Sequence, residues 1–231
     1  MRVLSVTHGA SVPGGVFEDA VEAAGHTLHR WQVPDGGEPH DPGSHDAVMV
    51  FGGSMHPDQD DEFHWLGSEE EFLQEVLARS VPVFGVCLGA QMLARASGAA
   101  VGPADAPEVG WLEVELTDAG VADPVLGRLP TRATVFQWHQ YTFELPPGAT
   151  ELARSPICAQ AFRLGERPAW GIQFHAEVTL PMLTAWTEED PDELPMPAAE
   201  LLAESERVIG RSNAQGRWLA DAFLREAASA A

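Results

Sequence analysis

The stretch Val81-Pro82-Val83-Phe84-Gly85-Val86-Cys87-Leu88-Gly89-Ala90-Gln91 constrains this chain more than any other, because it joins an apolar run to a helix through a glycine-flanked cysteine. A short apolar run without polar alternation predicts a parallel strand covered on both faces. Gly85 and Gly89 bracket Cys87 in the pattern G-x-C-x-G, the cysteine counterpart of the nucleophile elbow. Strand and helix approach closely at such a turn, so its neighbours must lack bulky side chains, and the sulfur is lifted above the sheet edge. The helix that follows turns its positive end towards the sulfur, which favours thiolate, and its unpaired amides can meet a developing oxyanion. A buried structural cysteine ahead of a helix is the competing reading, and the motif by itself leaves both open.

The flanking segments read as the sheet such an elbow needs. Arg2 to Thr7 alternates as a strand, Val16 to Ala24 has helical spacing and stops at Gly25, and Thr27 to Val33 is a second strand. Asp46 to Phe51 (DAVMVF), closed by Gly52-Gly53, predicts a central strand. A polar loop over 54–65 leads into a helix from about Gly67 to Arg79, and the helix after Cys87 ends at Gly98. This repetition predicts an α/β fold, a doubly wound, mostly parallel sheet that binds ligands at the carboxyl ends of its strands. From about Gly110 the shorter alternating segments Trp111 to Leu116, Thr134 to Glu144, Cys158 to Leu164 and Ala169 to Phe174 predict an antiparallel extension. Residues 188–197 (EEDPDELPMP) read as an acidic, proline-rich linker, and Ala198 to Ala228 as helix with a break near Gly210 to Asn213. The expected division is one domain over 1–187, with the linker and C-terminal helices of 188–231 packing on it.

Composition removes several function classes. Thirty-five acidic residues against thirteen basic ones give a net charge of -22, which repels nucleic-acid phosphates and anionic membrane surfaces. Every basic residue is arginine, so a phosphate-binding lysine of the Walker type, Schiff-base chemistry and lysine bases are excluded. No stretch approaches the roughly 18 uninterrupted apolar residues of a membrane span. The opening MRVLSVTHGASV alternates like a strand and carries no signal-peptide pattern, so a cytoplasmic protein is expected. Two cysteines without a C-x-x-C pair make neither a disulfide framework nor a zinc site. His40, His45, His56 and His64 sit among Pro, Gly and Asp at spacings of no ligand template, and read as solvated loop residues. No metal and no cofactor are expected. Cys158 has no partner motif and reads as a small core residue.

The second chemical element is Gly171-Ile172-Gln173-Phe174-His175-Ala176-Glu177, an apolar strand ending in His-x-Glu. Residues two apart on an extended chain share a face, so Glu177 can orient the His175 ring and stabilise its imidazolium while the ring works on a thiol. In isolation a His near a Glu at a strand end is more often a surface pair.

Taken together and in this order, GVCLGAQ and GIQFHAE make the chain resemble the class I, or triad, glutamine amidotransferases from Asp46 to Glu177. The resemblance implies their flavodoxin-like architecture, with Cys87 as nucleophile, His175 as general acid and base, and Glu177 as its orienting carboxylate. It implies an oxyanion hole from the amides of Gly53, in Phe51-Gly52-Gly53-Ser54, and of Leu88. It gives Gln91 a contact with the substrate glutamine. His139, Gln140 and Tyr141 lie in the segment whose backbone holds the amino-acid end of that substrate. His64-Trp65-Leu66 and Gly110-Trp111 resemble segments of stand-alone members similar to the amidotransferase part of GMP synthase. Three positions depart from the family pattern: Ala176 and Ser54 stand where proline is usual, and Gln140 where a small residue is common. These departures bear on loop rigidity and on the choice among γ-glutamyl compounds. The implied activity is hydrolysis of the glutamine side-chain amide through a γ-glutamyl thioester, without a cofactor. The residues after Glu177 read as linker and helix with no nucleotide-binding segment, so the ammonia would pass to an acceptor on a separate synthetase chain. Two alternatives stay open, a stand-alone γ-glutamyl peptidase or hydrolase and a non-catalytic binding or regulatory module with the same fold.

Overall fold

In the computed structural model residues 1–36, 40–165 and 167–230 are described. The first half alternates strands and helices as the apolar runs dictate: β1 (Arg2–Thr7), α1 (Gly15–Ala23), β2 (Thr27–Gln32), β3 (Ala47–Val50), α2 (Trp65–Ala78), β4 (Val83–Val86) and α3 (Leu88–Ala96). The second half holds β5 (Val101–Leu116), α4 (Asp118–Ala122), β6 (Arg132–Phe143), β7 (Ala149–Arg154), β8 (Ala159–Leu164), β9 (Ala169–Ile172), α5 (Leu180–Glu189) and α6 (Ala198–Ala230). The described strands form a single sheet in the order β2-β1-β3-β4-β9-β8-β7-β5-β6. Its β2-β1-β3-β4-β9 part is parallel, in the strand order of doubly wound flavodoxin-like sheets, and the remainder is antiparallel.

Every residue of β3 and β4 is buried, because helices cover both faces. On one face Met49, Phe84 and Val86 meet Val16 and Phe17 of α1 and Leu219 and Phe223 of α6. On the other, Val48, Val50 and Val83 meet Leu73 and Val76 of α2 and Met92 and Leu93 of α3. Each fully buried Leu, Val or Phe contributes about 1.5–3 kcal/mol relative to exposure. This sandwich makes the carboxyl ends of β3 and β4 a rigid platform. Among the described residues no helix is long and apolar enough to cross a membrane.

Several expectations need correction. β5 begins at Val101, ten residues ahead of the expected Trp111, and carries Pro103 and Pro107. The prolines survive because β7 pairs with β5 only at Glu115 and Leu116, and because the β5–β6 register is irregular between Pro103 and Glu108. β7 and α5 carry no periodic signal strong enough to predict them. His45 is not solvated: it is buried, with Nε2 2.9 Å from His29 Nδ1.

The expected break near Gly210 to Asn213 is absent, and α6 runs unbroken for 33 residues. An exposed glycine costs a helix about 1 kcal/mol, far less than the packing of Leu201, Leu219, Phe223 and Ala227 returns. A second glycine of α6 has a positional role. A Cβ on Gly216 would lie 2.0 Å from Ala176 O and 2.8 Å from Val16 Cγ2. The helix therefore presses on the backbone at Ala176, between His175 and Glu177, and Val16 N–H donates to Glu177 O at 3.0 Å. These two contacts hold a segment whose position 176 lacks the family's proline. Gly216→Ala is expected to destabilise the fold by about 1–3 kcal/mol through overpacking, and to lower the activity proposed below because the displaced backbone carries both side chains. Urea unfolding and turnover measured on the same preparation check this.

Candidate active site

Cys87 follows β4 directly and caps α3 with φ 51° and ψ -113°, a conformation that costs a non-glycine residue about 1–3 kcal/mol. Two backbone bonds hold it there: Cys87 N–H to Ile172 O at 2.8 Å and Gln91 N–H to Cys87 O at 3.0 Å. The flanking glycines are steric necessities. A Cβ on Gly85 would lie 2.6 Å from Gly89 O, and one on Gly89 would lie 2.2 Å from Val50 O. With no side chain at either position, helix α3 closes onto β3 and β4 and its first-turn amides, Leu88 among them, stay free of intrahelical partners.

β9 runs beside β4 and delivers the histidine segment to the same edge. His175 N–H donates to Phe136 O at 2.8 Å, and the ring Nδ1 lies 2.7 Å from Glu177 Oε1. Cys87 Sγ donates weakly to Trp138 O at 3.9 Å, and the sulfur and the His175 ring border the same cavity. Both His175 and Glu177 are buried, and Glu177 Oε2 has no hydrogen-bond partner among the described residues. Burial by itself would lower the His175 pKa. The Glu177 charge and the Cys87 side chain outweigh it and hold the imidazole up to about 10, so the ring is an imidazolium at neutral pH. Trp186 closes over this ring with centroids 4.9 Å apart.

Gly52 and Gly53 follow β3 at the same edge. A Cβ on Gly52 would lie 3.1 Å from His175 Cε1 and 3.7 Å from Cys87 Cβ, which places the glycine loop directly against the cysteine and the imidazole. A cavity of about 350 Å³ opens there, bordered by Cys87, His175, Gly53, Ser54, Gln91 and the Trp138–Tyr141 segment.

Of the remaining expected residues, Gln91 reaches the cavity with its amide nitrogen already committed to Tyr141 O at 2.8 Å and Gln173 Oε1 at 3.1 Å, leaving its oxygen as the free function. Gln173 in turn directs its Nε2 at Cys87 Sγ, 3.6 Å away. A polar residue inside the apolar GIQFHAE run is the sequence signal for Gln173, which the motif alone does not assign. Tyr141 stacks on His56 with centroids 3.8 Å apart at 10°, so His56 belongs to the cavity wall and corrects the expectation of a solvated loop residue. Arg95 fixes the loop that carries His56, with bonds to Asp60 Oδ2 at 2.8 Å and Glu70 Oε2 at 2.9 Å.

The segment expected to be a linker is the outer wall of the cavity. A 3-10 turn at Pro191–Glu193 presents Glu193, which accepts from Trp138 Nε1 at 2.6 Å and from Gln140 Nε2 at 2.7 Å. Glu189 and Asp190 border the same opening. Burial, and then the charges of Glu193 and Glu189, push Asp190 above the ordinary carboxylate range. Glu193→Ala removes both tethers and is expected to raise KM several-fold with little change in kcat, because the wall loosens while the cysteine and imidazole are untouched. Steady-state kinetics with the best substrate found checks the split.

The class-I glutamine amidotransferase family model matches residues 18–185. This chain belongs to that family. Among its relatives, the glutamine amidotransferase-like protein YfeJ of Salmonella typhimurium is 29% identical over 84% of this chain and 83% of its own length. One of the subunits of the glutamine-hydrolyzing GMP synthase of Pyrococcus abyssi is 35% identical over 48% of this chain, and that match spans 59% of the relative's length. Solved structures of a glutamine amidotransferase from Thermotoga maritima and of a glutamine amido transferase from Methylobacillus flagellatus superpose with TM-scores of 0.87 and 0.88. They are 30% and 27% identical to it; the first covers 96% of this chain and 97% of its own, the second 97% and 94%.

In this member of the family the His139 ring is buried, with its two nitrogens facing Tyr141 and Glu108. Nδ1–H donates to Tyr141 O at 3.0 Å, and Nε2 lies 3.2 Å from Glu108 Oε2, off the line of a good hydrogen bond. Glu108, His139 and Cys158 bring possible metal-ligand atoms within 4.8 Å of one another. The Gln160 amide nitrogen fills that cluster, 2.8 Å from Glu108 Oε2, 3.4 Å from Cys158 Sγ and 3.3 Å from Ser155 Oγ. Burial first, and then the charge of Glu108, push the Cys158 thiol up to about 11. Cys158 is thus a half-buried partner of a polar cluster, which corrects its reading as a core residue, and the cluster braces the strand that holds Trp138 to Tyr141.

Proposed function

We propose that this amidotransferase hydrolyses the side-chain amide of glutamine through a γ-glutamyl thioester on Cys87, and that the ammonia passes to an acceptor on a partner chain. The observation that carries this reading is the convergence, in one cavity, of a strained cysteine at a helix N-terminus, a carboxylate-paired imidazolium and the glycine loop. Cys87 Sγ attacks the side-chain carbonyl carbon of glutamine, and the N–H groups of Gly53 and Leu88 take the charge that develops on its oxygen. As the C–N bond breaks, His175 gives its proton to the departing nitrogen, which leaves as ammonia. The neutral ring then takes a proton from water, whose oxygen attacks the thioester. Glutamate leaves, its carboxyl proton goes to solvent, and Cys87 returns as thiolate beside the imidazolium. Glu177 keeps the ring in register throughout. Loss of one oxyanion donor would cost about 10²–10³ in kcat.

The partner chain is supported by the relatives whose names make them subunits of a glutamine-hydrolyzing synthase. A second reading, hydrolysis of γ-glutamyl peptides or amides without a partner, is favoured by the cavity of about 350 Å³, since sites for ligands well beyond a single amino acid begin near ~300 Å³. The test is a panel running from glutamine to γ-glutamyl amides with larger leaving groups, with glutamate and ammonia measured on the purified chain. Equal yields of both from glutamine support the first reading. Faster turnover of the larger amides replaces it with the second. No glutamate from any member leaves a non-catalytic module.

A further inference from the structure

His8 lies outside every motif read from the sequence, yet it is buried beside the cavity with both ring nitrogens engaged. Nδ1 is 3.0 Å from Gly52 O and Nε2 is 2.9 Å from Glu69 Oε2. A carbonyl oxygen and a carboxylate are both acceptors, so the two bonds together require a proton on each nitrogen, and the ring is an imidazolium paired with Glu69. The face of Trp65 lies over it, centroids 5.4 Å apart at 18°, a favourable seat for a cation. Burial opposes the charge, and the Glu69 charge and hydrogen bond outweigh it, which raises the His8 pKa above its ordinary value.

The bond to Gly52 matters because Gly52 O and Gly53 N–H sit on opposite edges of one peptide unit. That unit joins two glycines, whose freedom in φ and ψ lets the plane turn, and the described chain contains no cis peptide. We propose that His8 is a positioning residue for the oxyanion loop: its Nδ1–H holds Gly52 O, which fixes the peptide plane and presents Gly53 N–H on the opposite edge to the cavity. Glu69 and Trp65, both on α2, hold the ring that does this. The inference rests on the glutaminase reading, within which it names the device that keeps one oxyanion donor in place before substrate arrives.

Two substitutions separate the ring nitrogens. In His8→Asn the side-chain amide takes the place of Nδ1 and can still donate to Gly52 O, but Glu69 loses its partner. In His8→Gln the amide takes the place of Nε2 and still reaches Glu69, but Gly52 O is released. The expected result is that His8→Gln lowers kcat by about 10²-fold with KM little changed, and that His8→Asn recovers most of this loss although it is the less stable protein in urea. Alkylation of Cys87 by iodoacetamide, which develops no oxyanion, is expected to proceed at the wild-type rate in both. The Gly53 amide resonance in ¹⁵N-glycine-labelled protein is expected to move in His8→Gln and to stay near its wild-type position in His8→Asn. Activity that follows stability across the two variants, or a Gly53 resonance that His8→Gln leaves unmoved, would overturn the inference. A wild-type protein that releases no glutamate from any γ-glutamyl substrate would instead end the glutaminase reading, and the Gly53 resonance would still decide whether His8 sets the peptide.

Discussion

Replacing Cys87 by alanine is expected to reduce glutamate release by on the order of 10⁵–10⁶ in kcat, the scale on which removal of a covalent nucleophile is felt. The loss should come without loss of the fold. Cys87 is small, it lines a cavity, and the backbone bonds that hold it, from Cys87 N–H to Ile172 O and from Gln91 N–H to Cys87 O, do not involve the sulfur. Alanine keeps that backbone and removes only Sγ. Urea unfolding of Cys87→Ala should therefore match the wild type closely while turnover vanishes. Cys87→Ser is expected to be nearly as inactive, because a hydroxyl is not ionised by a neighbouring imidazolium. Turnover that survives either change would move the chemistry to another residue.

The second large effect belongs to Glu177. Its carboxylate is buried, and its Oε1 lies 2.7 Å from the His175 Nδ1 that it orients. Glu177→Gln keeps the shape and removes the charge, and kcat is expected to fall by on the order of 10³–10⁴. The same change carries a pH signature. Held up to about 10 in the fold against 6.5 for the free group, the His175 imidazolium contributes stability that is fully present below pH 6.5 and lost as the pH rises through about 10. Without the Glu177 charge the folded pKa falls, so the stability gap between wild type and variant is expected to be largest at low and neutral pH and to shrink towards pH 10. The alkaline limb of the pH–rate profile should move down in the variant. Denaturant titrations and rates across that range read both. A variant whose gap is independent of pH would remove the pairing from the account.

The parts of the fold that were legible in the sequence are those where one local requirement fixes the residue type. Gly85 and Gly89 exist because any Cβ would strike Gly89 O or Val50 O, and β3 and β4 read as uninterrupted apolar runs because helices cover both their faces. The placement of Cys87 and of the His175–Glu177 pair at one cavity was legible for the same reason, since each motif lies in a short segment. The outer wall of the cavity was not. His56 has the sequence surroundings of a loop histidine, and only the fold stacks Tyr141 on it. The acidic stretch around Glu193 has the composition of a linker because its partners, Trp138 and Gln140, lie more than fifty residues away in the chain. The expected break in α6 followed a correct local rule about glycine, which the packing of Leu219 and Phe223 overrides. His8 gave no signal, because its partners come from β3's end and from α2.

The pocket's chemistry stands or falls on whether a covalent acyl group forms on one sulfur. The most direct measurement is intact-protein and peptide mass spectrometry after mixing the wild-type enzyme with saturating glutamine and quenching in acid. The account predicts one γ-glutamyl group on the peptide that contains Cys87, absent in Cys87→Ala and accumulating further when water attack is slowed by Glu177→Gln. Glutamate that appears while Cys87 stays unmodified at every quench time would contradict it.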